Sequence, residues 1–181
     1  RMAILRLMRE STGLSRADLS VRSGLTRSTV SALVKELIDE GWLLEADSSA
    51  APGALGRRLT PLSLDGARIA LLGADLGPDA IRIVQTSILG DIQESTQAVL
   101  RSRDPEAACH QLVEMVTALS TKITRSGTCL LGIGIGLHGA LNKRSGILEF
   151  APNHGWRNLD VGGRMAKELA RVGLEEIPVY Y

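Results

Sequence analysis

The sequence predicts an α/β protein that begins with a small, mainly helical domain. Three observations lead to this prediction. Apolar residues recur at helical spacing before residue 46, strand-like apolar runs alternate with helical stripes after residue 69, and small residues with Pro and Gly fill positions 47–56. Alternating strands and helices are typical of α/β domains. We therefore expect two domains, at residues 1–64 and 65–181.

The first domain is expected to contain three helices. The first covers Ala3–Glu10. The second begins at Ser15–Asp18, which has the form of a capping box, and it stops at Gly24. Thr26 can cap a third helix, which Gly41 terminates.

The third helix has two chemically different faces. Its apolar face comprises Val30, Leu33, Val34, Leu37 and Ile38. Short polar and basic side chains occupy the N-terminal end and the other face, as a helix that enters the DNA major groove requires. The candidate DNA-binding residues here are Thr26, Arg27, Ser28, Thr29, Ser31 and Lys35. The alternative is an ordinary amphipathic helix with a solvated face.

A hairpin is expected to follow, with strands at 42–45 and 59–64 joined by the Pro- and Gly-containing loop. Helix, helix, turn, helix and hairpin is the order of a winged helix-turn-helix. Arg57 and Arg58 lie at the far end of the loop, where they can reach a phosphate or the minor groove. The alternative is that both arginines are simply solvated.

The second domain is expected to open with a meander of strands and to continue as alternating helices and strands. The predicted strands are Ile69–Leu76, Ala80–Gln85, Ile88–Glu94, Leu130–Leu137, Ile147–Phe150 and Ile177–Tyr181. One predicted helix begins at Asp104, where Pro105 occupies the first helical position. A second predicted helix covers Asp160–Arg171.

One motif in this domain imitates a dinucleotide-binding fingerprint. Gly134, Gly136 and Gly139 have the required spacing after a strand, and Asp160 follows about 20 residues later. That fingerprint requires a helix directly after the glycines, because the helix N-terminus holds the pyrophosphate. The residues at 140–146 instead predict a turn towards a short strand, so we do not expect a dinucleotide site.

Composition excludes several other classes of protein. Of the 181 residues, 44% are hydrophobic and 23% are charged, as in folded globular domains, and the net charge of +1 means that any basic surface must be local. Cys109 and Cys129 are the two cysteines, and neither has another Cys or a His at ligand spacing. We therefore expect no disulfide framework, no metal site and a reducing cytoplasm. The longest apolar stretch, 129–137, is far shorter than the roughly 20 residues of a membrane span.

Segments in both domains resemble the ROK family, named for repressors, open reading frames and sugar kinases. In the first domain these segments are Ile4–Met8, Leu14–Ser20, Gly24–Leu37 and Gly41–Leu43. In the second domain Leu72–Gly77 resembles the family's phosphate-loop strand, and Gly132–Gly139 and Ala151–Trp156 resemble segments near its sugar site. The resemblance implies a winged helix-turn-helix followed by an incomplete actin-like, or ribonuclease-H-like, sugar-kinase lobe. The family's catalytic Asp and zinc motif fall beyond residue 181, so we expect the second lobe to lie outside this sequence.

The chain departs from the family's kinases at the phosphate loop. Pro78 and Asp79 follow Gly77, where the kinases have a hydroxyl or glycine. A carboxylate facing a phosphate repels it, so neither ATP nor another cofactor is expected. The family's Pro-Gly turn is His138-Gly139 here.

Two sugar contacts are implied by the resemblance, Gly139 and Asn153, with His154 and Trp156 as neighbours of lower rank. Each has a structural alternative. Asn153 lies in Pro152–Gly155, which forms a β-turn in many proteins. His138 and His154 are expected to be structural or surface histidines, and Trp156 a core residue.

These observations predict a sugar-responsive DNA-binding transcriptional regulator of the ROK type that is not an enzyme. Its partners would be double-stranded operator DNA, a small carbohydrate effector, and further copies of itself in a homodimer or higher homo-oligomer, with no membrane partner. The main alternative is a ROK sugar kinase with an accessory head. A second alternative is a head that dimerises or binds protein instead of DNA.

Overall fold

The structure is a computed structural model that describes residues 1–46 and 60–181. The chain divides into two compact units, Arg1–Arg68 and Ile69–Tyr181. In the described part of the first unit, the elements are α1 (Met2–Glu10), α2 (Arg16–Ser23), α3 (Arg27–Asp39), β1 (Leu43–Glu45) and β2 (Leu62–Leu64). This order confirms the predicted winged helix-turn-helix.

The three helices and the hairpin of the first unit enclose one apolar core. Its fully buried members include Ile4, Leu19, Val30, Val34, Leu37, Leu43 and Leu62. β2 pairs with β1 and also extends towards α2, since the Leu62 N–H donates to the Leu14 carbonyl at 2.9 Å. β2 begins at Leu62, and Thr60 and Pro61 of the longer predicted strand are not part of it.

Local signals fix both ends of α2. The Asp18 N–H donates to the Ser15 hydroxyl at 3.2 Å, and the Ser15 N–H donates to the Asp18 carboxylate at 2.9 Å. The Ser15 hydroxyl also donates to the Asp18 carboxylate, at 2.6 Å. This bond, followed by the bond from the Ser15 N–H, lowers the pKa of Asp18. Gly24 ends the helix with φ at 71°, a left-handed conformation that glycine adopts without steric cost. The predicted capping box is therefore confirmed.

Replacing Ser15 by alanine is expected to lower the free energy of unfolding by about 1 kcal/mol, because it removes the cap of α2. Chemical denaturation of wild type and variant measures this difference. Thr12→Ala is a matched control, since Thr12 is exposed and its hydroxyl has no hydrogen bond to a described residue. Equal stability of the two variants would show that the cap contributes nothing.

The second unit is built on a five-stranded sheet with the order β10-β6-β3-β4-β5. Its strands are β3 (Ile69–Leu76), β4 (Ala80–Ser87), β5 (Ile92–Val99), β6 (Cys129–Leu137) and β10 (Val179–Tyr180). β3, β4 and β5 form an antiparallel meander, whereas β3, β6 and β10 run parallel. The carboxyl ends of β3 and β6 therefore lie side by side, with Leu76 opposite Leu137.

Two helices and a second sheet complete this unit. The helices are α4 (Pro105–Arg125) and α5 (Val161–Arg171), and the second sheet consists of β7 (Ala140–Asn142), β8 (Ile147–Ala151) and β9 (Trp156–Asp160). The core between the sheet and the helices includes Leu72, Leu76, Ile81, Ile83, Leu112, Val116, Ile123, Met165 and Leu169. Asp104 and Asp160 cap α4 and α5, as the sequence predicted for the start of both helices.

A buried carboxylate connects α4 to α5. Glu168 on α5 is 5% exposed, and its oxygens lie 2.8 Å from the Nδ1 of His110 on α4 and 3.1 Å from a guanidinium nitrogen of Arg171. The hydrogen bond with His110 is the main reason why the pKa of Glu168 is lowered. These partners compensate for the burial of the charge.

The third strand of the meander is not where the sequence predicted it. Residues 88–91 form a turn, in which the Ser87 hydroxyl accepts from the N–H groups of Leu89 and Asp91. Gly90 has a φ of 92°, which suits this turn. The strand at 92–99 lies at the edge of the sheet and alternates between exposed and partly buried residues, so it lacks the apolar run that a buried strand shows.

Among the described residues, no helix is both long enough and apolar enough to cross a membrane.

Candidate functional site

The six candidate residues on and beside α3 share one property: every one of them is exposed. They are Thr26, Arg27, Ser28, Thr29, Ser31 and Lys35. Val30, Val34 and Leu37 of the same helix are buried, so the packing of α3 leaves its polar face open. Arg27, Ser31 and Lys35 are spaced four residues apart and therefore follow one another along this face.

The N-terminus of α3 is a region of positive electrostatic potential. No acidic side chain occurs in its first turn, and the unpaired N–H groups there add the positive end of the helix dipole. Thr26 caps the helix, since its hydroxyl accepts from the Thr29 N–H at 3.2 Å. The same hydroxyl lies 2.9 Å from that of Ser28 and 2.8 Å from that of Thr29. This end of α3 therefore combines hydroxyl groups with a field that favours anions.

The two cations on this face are not neutralised within the described part of the chain. Arg27 and Lys35 form no ion pair with another described residue. Arg16 in α2, by contrast, is paired with Glu45 of β1. Arg27 and Lys35 are thus available to an external anion. Arg57 and Arg58, the two other basic candidates, lie outside the described residues.

In the second unit, polar side chains gather at the adjacent carboxyl ends of β3 and β6. Asp75 at the end of β3 lies with one oxygen 3.0 Å from the Nε2 of His138 and the other 3.5 Å from a guanidinium nitrogen of Arg82. Asp79, in the turn between β3 and β4, is paired with Arg103 at 3.1 Å. Both carboxylates of the hairpin that resembles a phosphate loop are thus held by cations or an imidazole.

Gly139 lies in the turn between β6 and β7, next to these residues. Its N–H donates to the Leu137 carbonyl at 3.0 Å, which closes a tight turn around His138. A Cβ atom at this position would lie 2.5 Å from the Phe150 carbonyl oxygen and 2.9 Å from Leu148 Cδ1. The close approach of β8 therefore already requires glycine here.

Asn153 lies in the turn between β8 and β9, as the sequence predicted. The Gly155 N–H donates to the Ala151 carbonyl at 3.0 Å, and this bond closes the turn. Asn153 itself is exposed, and its side chain has no hydrogen bond to a described residue. Both hydrogen-bonding groups of its amide are therefore free for a ligand.

His154 and Trp156 are structural members of this region. His154 is 7% exposed and stacks on Trp156, with ring centroids 4.3 Å apart. Its Nε2 donates to the Leu76 carbonyl at 3.3 Å, which ties the turn to the end of β3. The Trp156 indole N–H donates to the Arg103 carbonyl at 2.8 Å. The predicted structural character of His154 and the predicted burial of Trp156 are confirmed.

Burial lowers the pKa of His154 below its ordinary value of 6.5. Protonation would place a hydrogen on Nδ1, which is buried and has no partner among the described residues. The unfolded chain therefore takes up this proton more readily than the folded one. It follows that stability falls as pH decreases through the unfolded-state pKa towards the lower folded-state value.

Replacing His154 by phenylalanine is expected to flatten this pH dependence, because the aromatic stack remains while the titrating group is lost. Chemical denaturation at about pH 7.5 and about pH 5.5 brackets the unfolded-state pKa of about 6.5. We expect wild type to lose more free energy of unfolding over this interval than His154→Phe. Identical losses would show that His154 does not contribute to acid sensitivity.

Two excluded chemistries can be compared with the structure. Strand β7 follows the glycines at 134–139, at the point where the dinucleotide-binding fingerprint requires a helix. Within residues 1–46 and 60–181, no group of three or more His, Cys, Asp or Glu side chains is arranged to hold a metal ion.

Sequence comparisons agree with the division into two units. Residues 1–43 match a model of winged helix-turn-helix DNA-binding domains, and residues 71–174 match the model of the ROK family. A xylose repressor of Caldicellulosiruptor bescii is 30% identical over 99% of this chain and 43% of its own length. A xylose repressor of Bacillus subtilis is 32% identical over 87% of this chain and 40% of its own length.

A solved structure confirms the fold. A ROK family transcriptional regulator, described as a homolog of the Escherichia coli MLC protein, superposes with a TM-score of 0.72 at 22% identity. The superposition covers 98% of this chain and 43% of the regulator. The chain thus spans less than half the length of the relatives that it matches.

Proposed function

The chain belongs to the ROK family, and from this premise we propose that it is part of a sugar-responsive transcriptional regulator acting in the cytoplasm. The observation that carries the proposal is the open face of α3 in a winged helix-turn-helix. That face combines hydroxyls, two unpaired cations and a helix N-terminus without acidic residues. These groups can donate hydrogen bonds to base edges and phosphates of double-stranded operator DNA.

Arg27, Ser28 and Ser31 are assigned to base edges in the major groove, because the N-terminal part of a recognition helix reaches the bases. Thr26 and Thr29 are assigned to the cap of α3 and to the nearby DNA backbone. Lys35, Arg57 and Arg58 are assigned to phosphates, which contribute affinity without reading sequence.

The effector is a small neutral carbohydrate that binds at the carboxyl ends of β3 and β6. One support is the free amide of exposed Asn153. Another is that Asp75 and Asp79 offset the charges of Arg82 and Arg103, so these four groups provide no net positive charge to attract a phosphorylated sugar. Gly139 allows β8 to approach and thereby shapes the same region. The names of the two curated relatives make D-xylose the first candidate.

Regulation proceeds by a population shift. The sugar binds one arrangement of the regulator more tightly and thereby changes the fraction that fits the operator. In a homodimer or higher homo-oligomer, the two heads must match half-sites about one helical turn apart, so a small change in their spacing alters operator affinity.

The rival proposal is a sugar kinase with an accessory head. Asp79 argues against it, since this carboxylate stands where the family's kinases have a hydroxyl or glycine beside the ATP phosphates. We propose that the chain is not part of an enzyme. A coupled phosphorylation assay of the complete protein tests this, and ATP-dependent turnover of any sugar in the panel described below would favour the kinase.

The proposed function is tested by selecting genomic DNA fragments with the complete protein, in the absence and presence of a panel of neutral pentoses and hexoses that includes D-xylose. We expect enrichment of a palindromic site and a change in its occupancy with one sugar. Binding that weakens as the salt concentration rises, but that enriches no sequence, would exclude a specific regulator.

A further inference from the structure

The side chain of His138 is held at one end and free at the other. Its Nε2 lies 3.0 Å from an oxygen of Asp75, while its Nδ1 has no hydrogen bond to a described residue. The side chain remains 48% exposed. His138 stands where the family resemblance places a proline, so neither the family pattern nor the two assigned sugar contacts account for it.

Sheet register explains how Asp75 reaches His138. Asp75 in β3 lies opposite Gly136 in β6, two residues before the histidine. The carboxylate runs alongside this strand position, since a Cβ at Gly136 would lie 3.5 Å from its oxygen, an ordinary van der Waals distance. Arg82 contacts the other carboxylate oxygen at 3.5 Å.

The carboxylate also fixes the chemical state that His138 presents to solvent. A carboxylate oxygen can only accept, so in the neutral imidazole the proton lies on Nε2 and points to Asp75. Nδ1 is then a hydrogen-bond acceptor in a fixed position. Orientation of an imidazole by a second group reduces the entropy lost when a ligand binds.

His138 supplies the free polar side chain of its turn. The Gly139 N–H is already bonded to the Leu137 carbonyl and is not available to a ligand. The turn lies beside that of Asn153, since a Cβ on Gly139 would come within 3.0 Å of the Ala151 side chain and His154 is bonded to Leu76. The Nδ1 of His138 and the amide of Asn153 thus belong to two adjoining turns at one edge of the sheet.

We infer that His138, oriented by Asp75, accepts a hydrogen bond from one hydroxyl group of the carbohydrate effector. His138 is then a specificity-determining residue, and Asp75 is its positioning residue. The inference rests on the proposed function and deepens it. His138 would select sugars with a hydroxyl at one defined ring position and disfavour derivatives that are alkylated or reduced there.

Calorimetric titration of the complete protein with the sugar panel tests this inference. The tightest-binding sugar is then compared with its mono-deoxy analogues, each lacking one hydroxyl. We expect His138→Ala to bind the sugar about fivefold to tenfold more weakly, which corresponds to the loss of one hydrogen bond. One deoxy analogue should bind wild type more weakly by a similar factor and should bind His138→Ala with no further loss.

Asp75→Asn should weaken binding by about threefold, because an amide can also donate to the imidazole and no longer fixes which nitrogen carries the proton. Glu94→Gln is the matched control and should leave sugar affinity unchanged. It also replaces a carboxylate by an amide on the same sheet, but Glu94 lies on β5 and contacts Lys122 rather than His138.

The outcomes separate the inference from the proposed function. If wild type binds none of the sugars, the proposed function itself is wrong. If wild type binds and His138→Ala binds equally well, only the inference is overturned. The inference is also overturned if removal of each hydroxyl weakens binding to His138→Ala as much as it weakens binding to wild type. In that case no hydroxyl of the sugar depends on the imidazole.

Discussion

Replacing Arg27 by alanine is expected to weaken binding to the selected operator by about tenfold to a hundredfold, while binding to unrelated DNA changes little. Arg27 is exposed at the first turn of α3 and has no ion pair with a described residue, so its guanidinium is available to a base edge. Loss of one bidentate contact to guanine costs about 1–3 kcal/mol of discrimination. Fluorescence anisotropy with operator and scrambled duplexes measures both affinities.

Two further variants act as controls for Arg27→Ala. Arg58→Ala should weaken both duplexes by a similar factor and reduce the slope of affinity against salt concentration by about one, as expected for a phosphate contact. Arg125→Ala removes the same charge from α4 in the second unit and should change neither affinity. Equal loss of specificity in Arg27→Ala and Arg58→Ala would contradict the division between base and phosphate contacts.

Replacing Gly139 by alanine is expected to lower the free energy of unfolding of the second unit by about 1–3 kcal/mol, the usual cost of overpacking. The added Cβ would lie 2.5 Å from the Phe150 carbonyl oxygen and 3.0 Å from the Ala151 side chain. The backbone of β8 must move to relieve this contact. Thermal denaturation and circular dichroism measure the effect.

Gly136→Ala is the matched control for this substitution. Gly136 lies three residues earlier, and its added Cβ would meet only ordinary contacts of 3.5 Å or more. We expect its stability to be within about 0.5 kcal/mol of wild type. Equal melting temperatures of Gly139→Ala and wild type would show that β8 yields easily, and glycine at 139 would then require a functional explanation.

The first unit was largely predictable because its signals are local. Ser15 and Asp18 lie three residues apart in the capping box, Gly24 directly follows α2, and Thr26 directly precedes α3. Each contact joins residues within one helical turn, so sequence spacing predicts it. The apolar stripe of α3 was equally visible, since its buried residues recur every three or four positions.

The second sheet was less predictable. β7 and β9 were not predicted as strands, because they are short and largely exposed and show no apolar run. The third strand of the meander was placed too early because Ile88 and Leu89 are apolar, whereas these residues belong to the turn before the actual strand. Hydrophobicity alone does not distinguish an apolar turn from an edge strand.

The contacts of the candidate effector site depend on topology. Asp75 and His138 are 63 positions apart in the sequence and come together only because β3 and β6 pair in parallel with a specific register. The bond of His154 to Leu76 spans 78 positions. No periodicity predicts such pairs. The one feature of the sequence that pointed to this contact is His138, which stands where the ROK family has a proline.

The central claim is that one protein couples operator binding to sugar binding, and a linkage measurement tests it most directly. Operator affinity of the complete protein is measured with and without the sugar, and sugar affinity is measured with and without operator DNA. We predict that the two ratios agree, with a common factor of about 5 to 150, because coupling free energy is reciprocal. The claim is contradicted if every sugar of the panel that binds the protein leaves operator affinity unchanged.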